Sequence, residues 1–344
     1  MTDAHAGELV TPIEIDADEA RSGTATRLLE YLPIALFGSV MGLTGLSVAW
    51  RLAAAQYDVP SWAADAVAIL AVVAFVAMTI AYAVKWVAAP DAVRAEFHHP
   101  VAGNLFGTAI ISLLLLPIII APVALRLAQG MWIVGAIAML GFAWLVIDRW
   151  MGNRQQTAHA TPAWIVPVVG LLDVPLAVPS LGLPPLHGLM IFCLAIGLFF
   201  AVPLFTMIFS RLLFDMRLPD ASQPMLLILV APFAVGFSAY VATTGSVDLF
   251  AEALFALSLF MLTIFVGRLR LLWSCCPFRV SWWAVSFPLA SAAVAAVRFA
   301  GARPGVIADV IAVTLLAFAS VVIAALAVRT LWGLARGELK TLVL

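Results

Sequence analysis

Charged residues are scarce in this chain, and the scarcity decides its class. Only 11% of the 344 residues are Asp, Glu, Lys or Arg, against about 25% in soluble domains, so no ordinary water-facing surface can be built from them. Cysteine is equally sparse. Cys193 falls inside an apolar run, and Cys275 and Cys276 are adjacent, which excludes a disulfide framework. Of five histidines, His98 and His99, preceded by Asp91, Arg94 and Glu96, form the one tempting metal or catalytic cluster. Adjacent histidines point apart and no HExxH spacing occurs, so neither a metal nor any other cofactor is expected. Phosphate-cradling and dinucleotide glycine motifs are missing, as is a serine or cysteine set with a histidine and an acid for nucleophilic catalysis. The chain therefore reads as a non-enzyme without a nucleic-acid partner. An apolar signal core is also missing from the first thirty residues. They are polar and acidic (Asp3, Glu8, Glu14, Asp16, Asp18, Glu19, Glu30) and read as a cytoplasmic tail, 1–30.

What is present is apolar length. With 64% hydrophobic residues, the chain reads as an all-α integral membrane protein whose surface is fitted to the lipid bilayer. Hydropathy marks ten spans, 32–50, 63–87, 101–120, 131–147, 163–183, 188–209, 225–241, 249–266, 280–297 and 306–327. They form one membrane domain over 31–338, followed by a short cytoplasmic C-terminus, 339–344. Fourteen of the 18 basic residues lie on the side of the termini, and four, Arg51, Arg126, Arg298 and Arg303, on the other. The positive-inside rule then places both termini in the cytoplasm of a multi-pass inner-membrane protein.

The spans alternate in character. Each odd-numbered one contains proline (Pro33, Pro117, Pro167 with Pro175, Pro232, Pro288), whereas among the even ones only the sixth does, at Pro203. Gly42, Gly107, Gly170 and Gly236 recur at separations of 65, 63 and 66 residues, and Pro175, Pro232 and Pro288 at 57 and 56. That is the trace of five tandem helical hairpins. It predicts that glycine- and proline-bearing helices lie inside around a path and that regular apolar ones face lipid. These glycines and prolines are the candidate pore-lining or kinking positions.

The stretch 279–300, RVSWWAVSFPLASAAVAAVRFA, carries the sharpest pattern. Pro288 interrupts it and predicts a kink between Trp283 and Phe287. At about 100° per residue, Phe287, Ser291, Val294 and Arg298 share one face: a ring at mid-span, smaller groups, then a cation near the far end. Two ionisable groups stand out within spans. Arg298 ends the ninth span on the external side. Asp173 lies about 15 Å into the fifth span, which leaves a structural pair, a proton-coupling role and a hydrated position open. The two are expected to face the external half of a path and to interact electrostatically.

The segments PAWIVPVVGLLDVP (162–175), LVAPFAVGFSAY (229–240) and above all PFRVSWWAVSFPLASAAVAAVR (277–298) resemble the fifth, seventh and ninth helices of the tellurite-resistance/dicarboxylate transporter family. That family includes bacterial TehA proteins, fungal malate and sulfite transporters and the plant guard-cell slow anion channels. The resemblance implies a homotrimer, each protomer with a pore among five inner helices and an outer set of five. It implies small inorganic or organic anions as the permeating partners. It also implies a gating phenylalanine in the ninth helix, matched here by Phe287. The long tails of the plant channels have no counterpart here, and an acid at position 173 departs from an anion-conducting wall. The expected function is an anion channel or facilitative transporter; the alternative is a proton-coupled transporter of malate-like dicarboxylates, sulfite or tellurite.

Overall fold

The computed structural model describes residues 31–152, 154–184, 186–215, 218–272 and 278–337. The acidic segment 1–30, the C-terminal segment 339–344 and the Cys275 and Cys276 pair lie outside them, as do Arg21, Arg27, Arg217 and Lys340 of the basic tally.

The described chain is all-helical, and ten helices are long and apolar enough to cross a membrane: Ile34–Tyr57, Trp62–Ala88, Ala102–Ile120, Leu125–Gly152, Pro162–Ser180, His187–Phe214, Asp220–Thr244, Leu249–Arg268, Val280–Ala302 and Val306–Ala335. Several even spans outrun their apolar cores. The fourth, for example, takes in Arg126 and Arg149 at its ends. Backbone hydrogen bonding continues where side chains turn polar, so hydropathy undershoots the helix ends. One short surface helix, Pro90–His98, follows the second span.

The two sets of spans are buried very differently. Between 61% and 83% of the most apolar window is buried in the odd spans, and only 17% to 39% in the even ones. The first span packs against the third and ninth, the seventh against the fifth and ninth, and the third against the fifth. Each even span packs on odd neighbours, so its outward face keeps exposed apolar residues such as Ile69, Val76, Phe199, Phe260 and Val321. A helix apolar all round survives there because lipid is its solvent.

Every odd span opens with 3-10 turns before continuing as α-helix, over Ile34–Leu36, Ala102–Leu105, Pro162–Ile165, Asp220–Val230 and Val280–Val285. Prolines mark these junctions. Pro33 precedes the first, Pro162 begins the third of them, and Pro167, Pro175 and Pro232 stand in the first positions of α segments. Pro288 does the same. The α part of the ninth span begins at Ser286, so Pro288 occupies its first turn, where a missing N–H leaves no helical acceptor unserved. The expected mid-span kink is thus a change of helix type at Val285, N-terminal to the proline.

Candidate functional site

Two cavities lie among the odd spans. The larger, about 290 Å³, is walled by the first halves of all five; the smaller, about 30 Å³, by their second halves. The larger wall repeats every third residue: Ala35, Gly38 and Met41 on the first span, Leu105, Thr108 and Ile111 on the third, Gly170 and Asp173 on the fifth. Ser222, Met225, Ile228 and Ala231 continue the pattern on the seventh, and Ser281, Ala284 and Phe287 on the ninth. In a 3-10 helix, residues three apart eclipse one another, which aligns Gly170 with Asp173, Ser222 with Met225 and Ile228, and Ser281 with Ala284; on the first and third spans most of the set stands on α-helix. An α-helix would turn the same set away by about 60° per step.

Phe287 and Val235 are the two residues that border both cavities. The Phe287 ring is buried at 9% exposure. Its stripe is intact: Phe287, Ser291, Val294 and Arg298 all line the smaller cavity. Ser291 Oγ donates to Pro288 O at 3.0 Å.

Asp173 and Arg298 are not brought together. Asp173, 2% exposed, lines the larger cavity and Arg298 the smaller. No ion pair joins them among the described residues. The expectation that both face the external half of one path is thus corrected: Asp173 lines the cavity walled by the first halves of the odd spans, because depth along a helix does not say which cavity a turn faces. Buried polar atoms without a hydrogen-bond partner concentrate here: Asp173 Oδ1 and Ser281 Oγ at the larger cavity, Thr44 Oγ1, Ser238 Oγ and Arg298 Nε at the smaller. Buried polar groups are ordinarily satisfied, and these atoms border the two cavities rather than the packed core.

The glycines divide. A Cβ on Gly42 would overlap Ser286 Oγ and Cβ, one on Gly107 would sit 2.8 Å from Val166 Cγ1, and one on Gly236 would sit 3.1 Å from Leu198. These three are close-approach positions and none lines the larger cavity. Gly170 does both, lining that cavity while its Cβ would meet Met139 at 2.6 Å. Pro288 lines the larger cavity; Pro175 and Pro232 line neither.

Several other ionisable groups brace the frame. Asp65 pairs with Arg51 at 3.5 Å, Glu252 with Arg303 at 2.8 Å, and Asp309 accepts from Tyr57 at 3.0 Å. His98 Nδ1 lies 2.8 Å from Arg94 O, and His99 Nδ1 accepts from the amides of Val101 and Ala102. One cluster escaped the sequence reading. Lys85, 4% exposed, donates to Glu96 at 2.8 Å and to Leu32 O at 2.7 Å; Glu96 also accepts from Ile34 N and the Tyr82 hydroxyl. It ties the surface helix to the residues flanking Pro33, which lines the larger cavity. A lysine at the end of an apolar run was its one visible signal.

A family model described as SLAC1, voltage-dependent anion channel, matches residues 31–331. The chain belongs to this family. The SLAC1 family is one of anion channels and transporters, not enzymes. Similar proteins include the S-type anion channel SLAH3 of Arabidopsis thaliana, 29% identical over 88% of this chain and 48% of its own length. The guard cell S-type anion channel SLAC1 of the same plant is 25% identical over 87% and 55%. The tellurite resistance protein TehA homolog of Haemophilus influenzae is 26% identical over 89% and 92%. The chain therefore spans about half the length of the plant relatives and nearly all of the bacterial one.

Proposed function

We propose that this SLAC1-family chain is an anion channel or facilitative anion transporter of the cytoplasmic membrane, closed in this conformation by Phe287. The odd spans form an inner ring around the path, the even ones an outer ring, and the chain assembles as a homotrimer with one path per protomer. Small inorganic or organic anions move down their electrochemical gradient, entering from the cytoplasm through the larger cavity. The observation that carries the reading is the position of the Phe287 ring at the junction of two cavities walled by the same five spans. An apolar ring at such a constriction closes it by denying an ion its hydration as well as by blocking it. Arg298, on the far side, supplies positive potential to that end of the path.

A second reading, a proton-coupled transporter of malate-like dicarboxylates or sulfite, is favoured by the unpartnered Asp173. Voltage-clamped current through the reconstituted protein decides between them. Phe287→Ala raises basal anion current several-fold if the ring gates the path, and current that ignores a pH gradient favours the channel. A Phe287→Ala protein that loses stability without gaining current refutes the gate.

A further inference from the structure

A cleft lies apart from the two inner cavities, where the sixth span ends beside the start of the fifth. Its volume, about 440 Å³, falls in the range of pockets that hold small ligands, about 300 to 1,000 Å³. The last two turns of the sixth span form one wall and the loop 155–160 with Trp164 the other. The two walls differ in kind. Met207 and Phe214, 40% and 86% exposed, carry the apolar outward face of the sixth span to its end, whereas Gln156 and Thr157 on the loop are exposed and polar. Lipid and water therefore meet along this cleft.

Arg211 stands between the walls. Its Nη1 donates to Ala160 O at 3.0 Å, its Nε is buried without a partner, and no ion pair joins it among the described residues. A guanidinium has five N–H donors, so most of this one's capacity and all of its charge are left for a guest. The bond to Ala160 also holds the side chain in place beforehand, which lowers the entropy lost on binding. Trp164 is equally fixed. It stacks on Trp150 at 5.0 Å and 18°, and its Nε1 donates to Pro100 O at 3.2 Å.

We propose that this cleft holds the headgroup of an anionic phospholipid from the leaflet on the side of the termini. The phosphodiester sits on Arg211, whose planar fork matches two phosphate oxygens, with Gln156, Thr157 and Ser210 as further donors. The acyl chains run over Met207 and Phe214 onto the outward face of the sixth span. Asp215, also on the wall, selects the diester: its carboxylate repels a dianionic phosphate monoester more strongly than a monoanion. A headgroup touching both walls ties the loop before the fifth span to the end of the sixth. The proposal does not depend on where anions cross the protein.

Native mass spectrometry of the full chain, delipidated in mild detergent, measures binding of dioleoyl phosphatidylglycerol, with dioleoyl phosphatidic acid and glycerol 3-phosphate as comparison probes. One phosphatidylglycerol per protomer should bind tightly. Arg211→Gln should weaken that first binding at least about tenfold, and Arg211→Lys should fall between, because an ammonium keeps the charge without the fork. Arg211→Gln also removes the bond to Ala160, so exposed Ser210 carries a second test. Ser210→Asp should weaken binding and Ser210→Lys should tighten it, both with the unfolding temperature of the lipid-free protein unchanged. Glycerol 3-phosphate, lacking the acyl chains, should bind at least about a hundredfold more weakly. First-lipid affinity indifferent to both Arg211→Gln and Ser210→Asp, or no tightly bound lipid at all, overturns the proposal. Glycerol 3-phosphate binding as tightly as the lipid would make this a site for soluble phosphates instead, and tighter binding of phosphatidic acid would overturn the choice of a diester.

Discussion

Phe287 is a residue whose two possible roles differ in measurable sign. Truncating a phenylalanine in a close-packed core costs about 3 to 5 kcal/mol, but this ring borders two voids, so part of that packing is missing from the start. Phe287→Ala should therefore lower the melting temperature less than Phe237→Ala, a fully buried ring of the seventh span, while raising current; Phe287→Leu should fall between native and alanine. Lys85 behaves in the opposite way. Removing one partner of a buried ion pair costs about 3 to 5 kcal/mol, so Lys85→Met should lower thermal stability sharply, as read by unfolding in mild detergent. The Phe287 to Arg298 stripe was legible because helix angles follow from spacing alone. The Lys85 and Glu96 pair was not, since its reach to Leu32 and Ile34 spans 53 and 62 residues, and no local pattern encodes such a meeting.

At the scale of the element, the alternation of more and less buried helices was written in the prolines and glycines. The helix type was not. In a run as uniformly apolar as the seven residues PMLLILV, periods of 3.0 and 3.6 leave the same trace, so nothing distinguished the 3-10 stretch Asp220–Val230. Cysteine substitution along it should expose the difference. Positions 222, 225 and 228 should react with a small thiol reagent admitted to the cavity, and 223, 226 and 227 far more slowly; a period of 3.6 would contradict the row. Gly42 fixes how closely the first and ninth spans approach. Because Ser286 Oγ donates to Gly38 O and Trp283 O, it cannot swing clear of a new methyl group, and Gly42→Ala should cost about 1 to 3 kcal/mol in thermal unfolding.

For the whole molecule, orientation and assembly are the open quantities. Single cysteines at exposed Gln156 and Gln56, in a background without Cys193, Cys275 and Cys276, should be labelled from the cytoplasm and from outside respectively; the reverse would invert the topology. Native mass spectrometry should find a trimer, and a monomer with full flux would remove it. The span count was legible because each crossing needs about 20 apolar residues. Which cavity Asp173 faces was not, because that depends on how five helices are rotated against one another.

The 3-10 winding of the seventh span also stores length. Eleven residues at about 2.0 Å each reach about 22 Å, whereas the same residues wound as α-helix reach about 16.5 Å. Rewinding Asp220–Val230 would thus draw one end of the span toward the other by about 5.5 Å, one full pitch. The same motion would fan Ser222, Met225 and Ile228 over about 120° and strip their row from the wall. Because this stretch packs directly on Val280–Val285, its screw-like stroke would be delivered to the turns that carry Phe287.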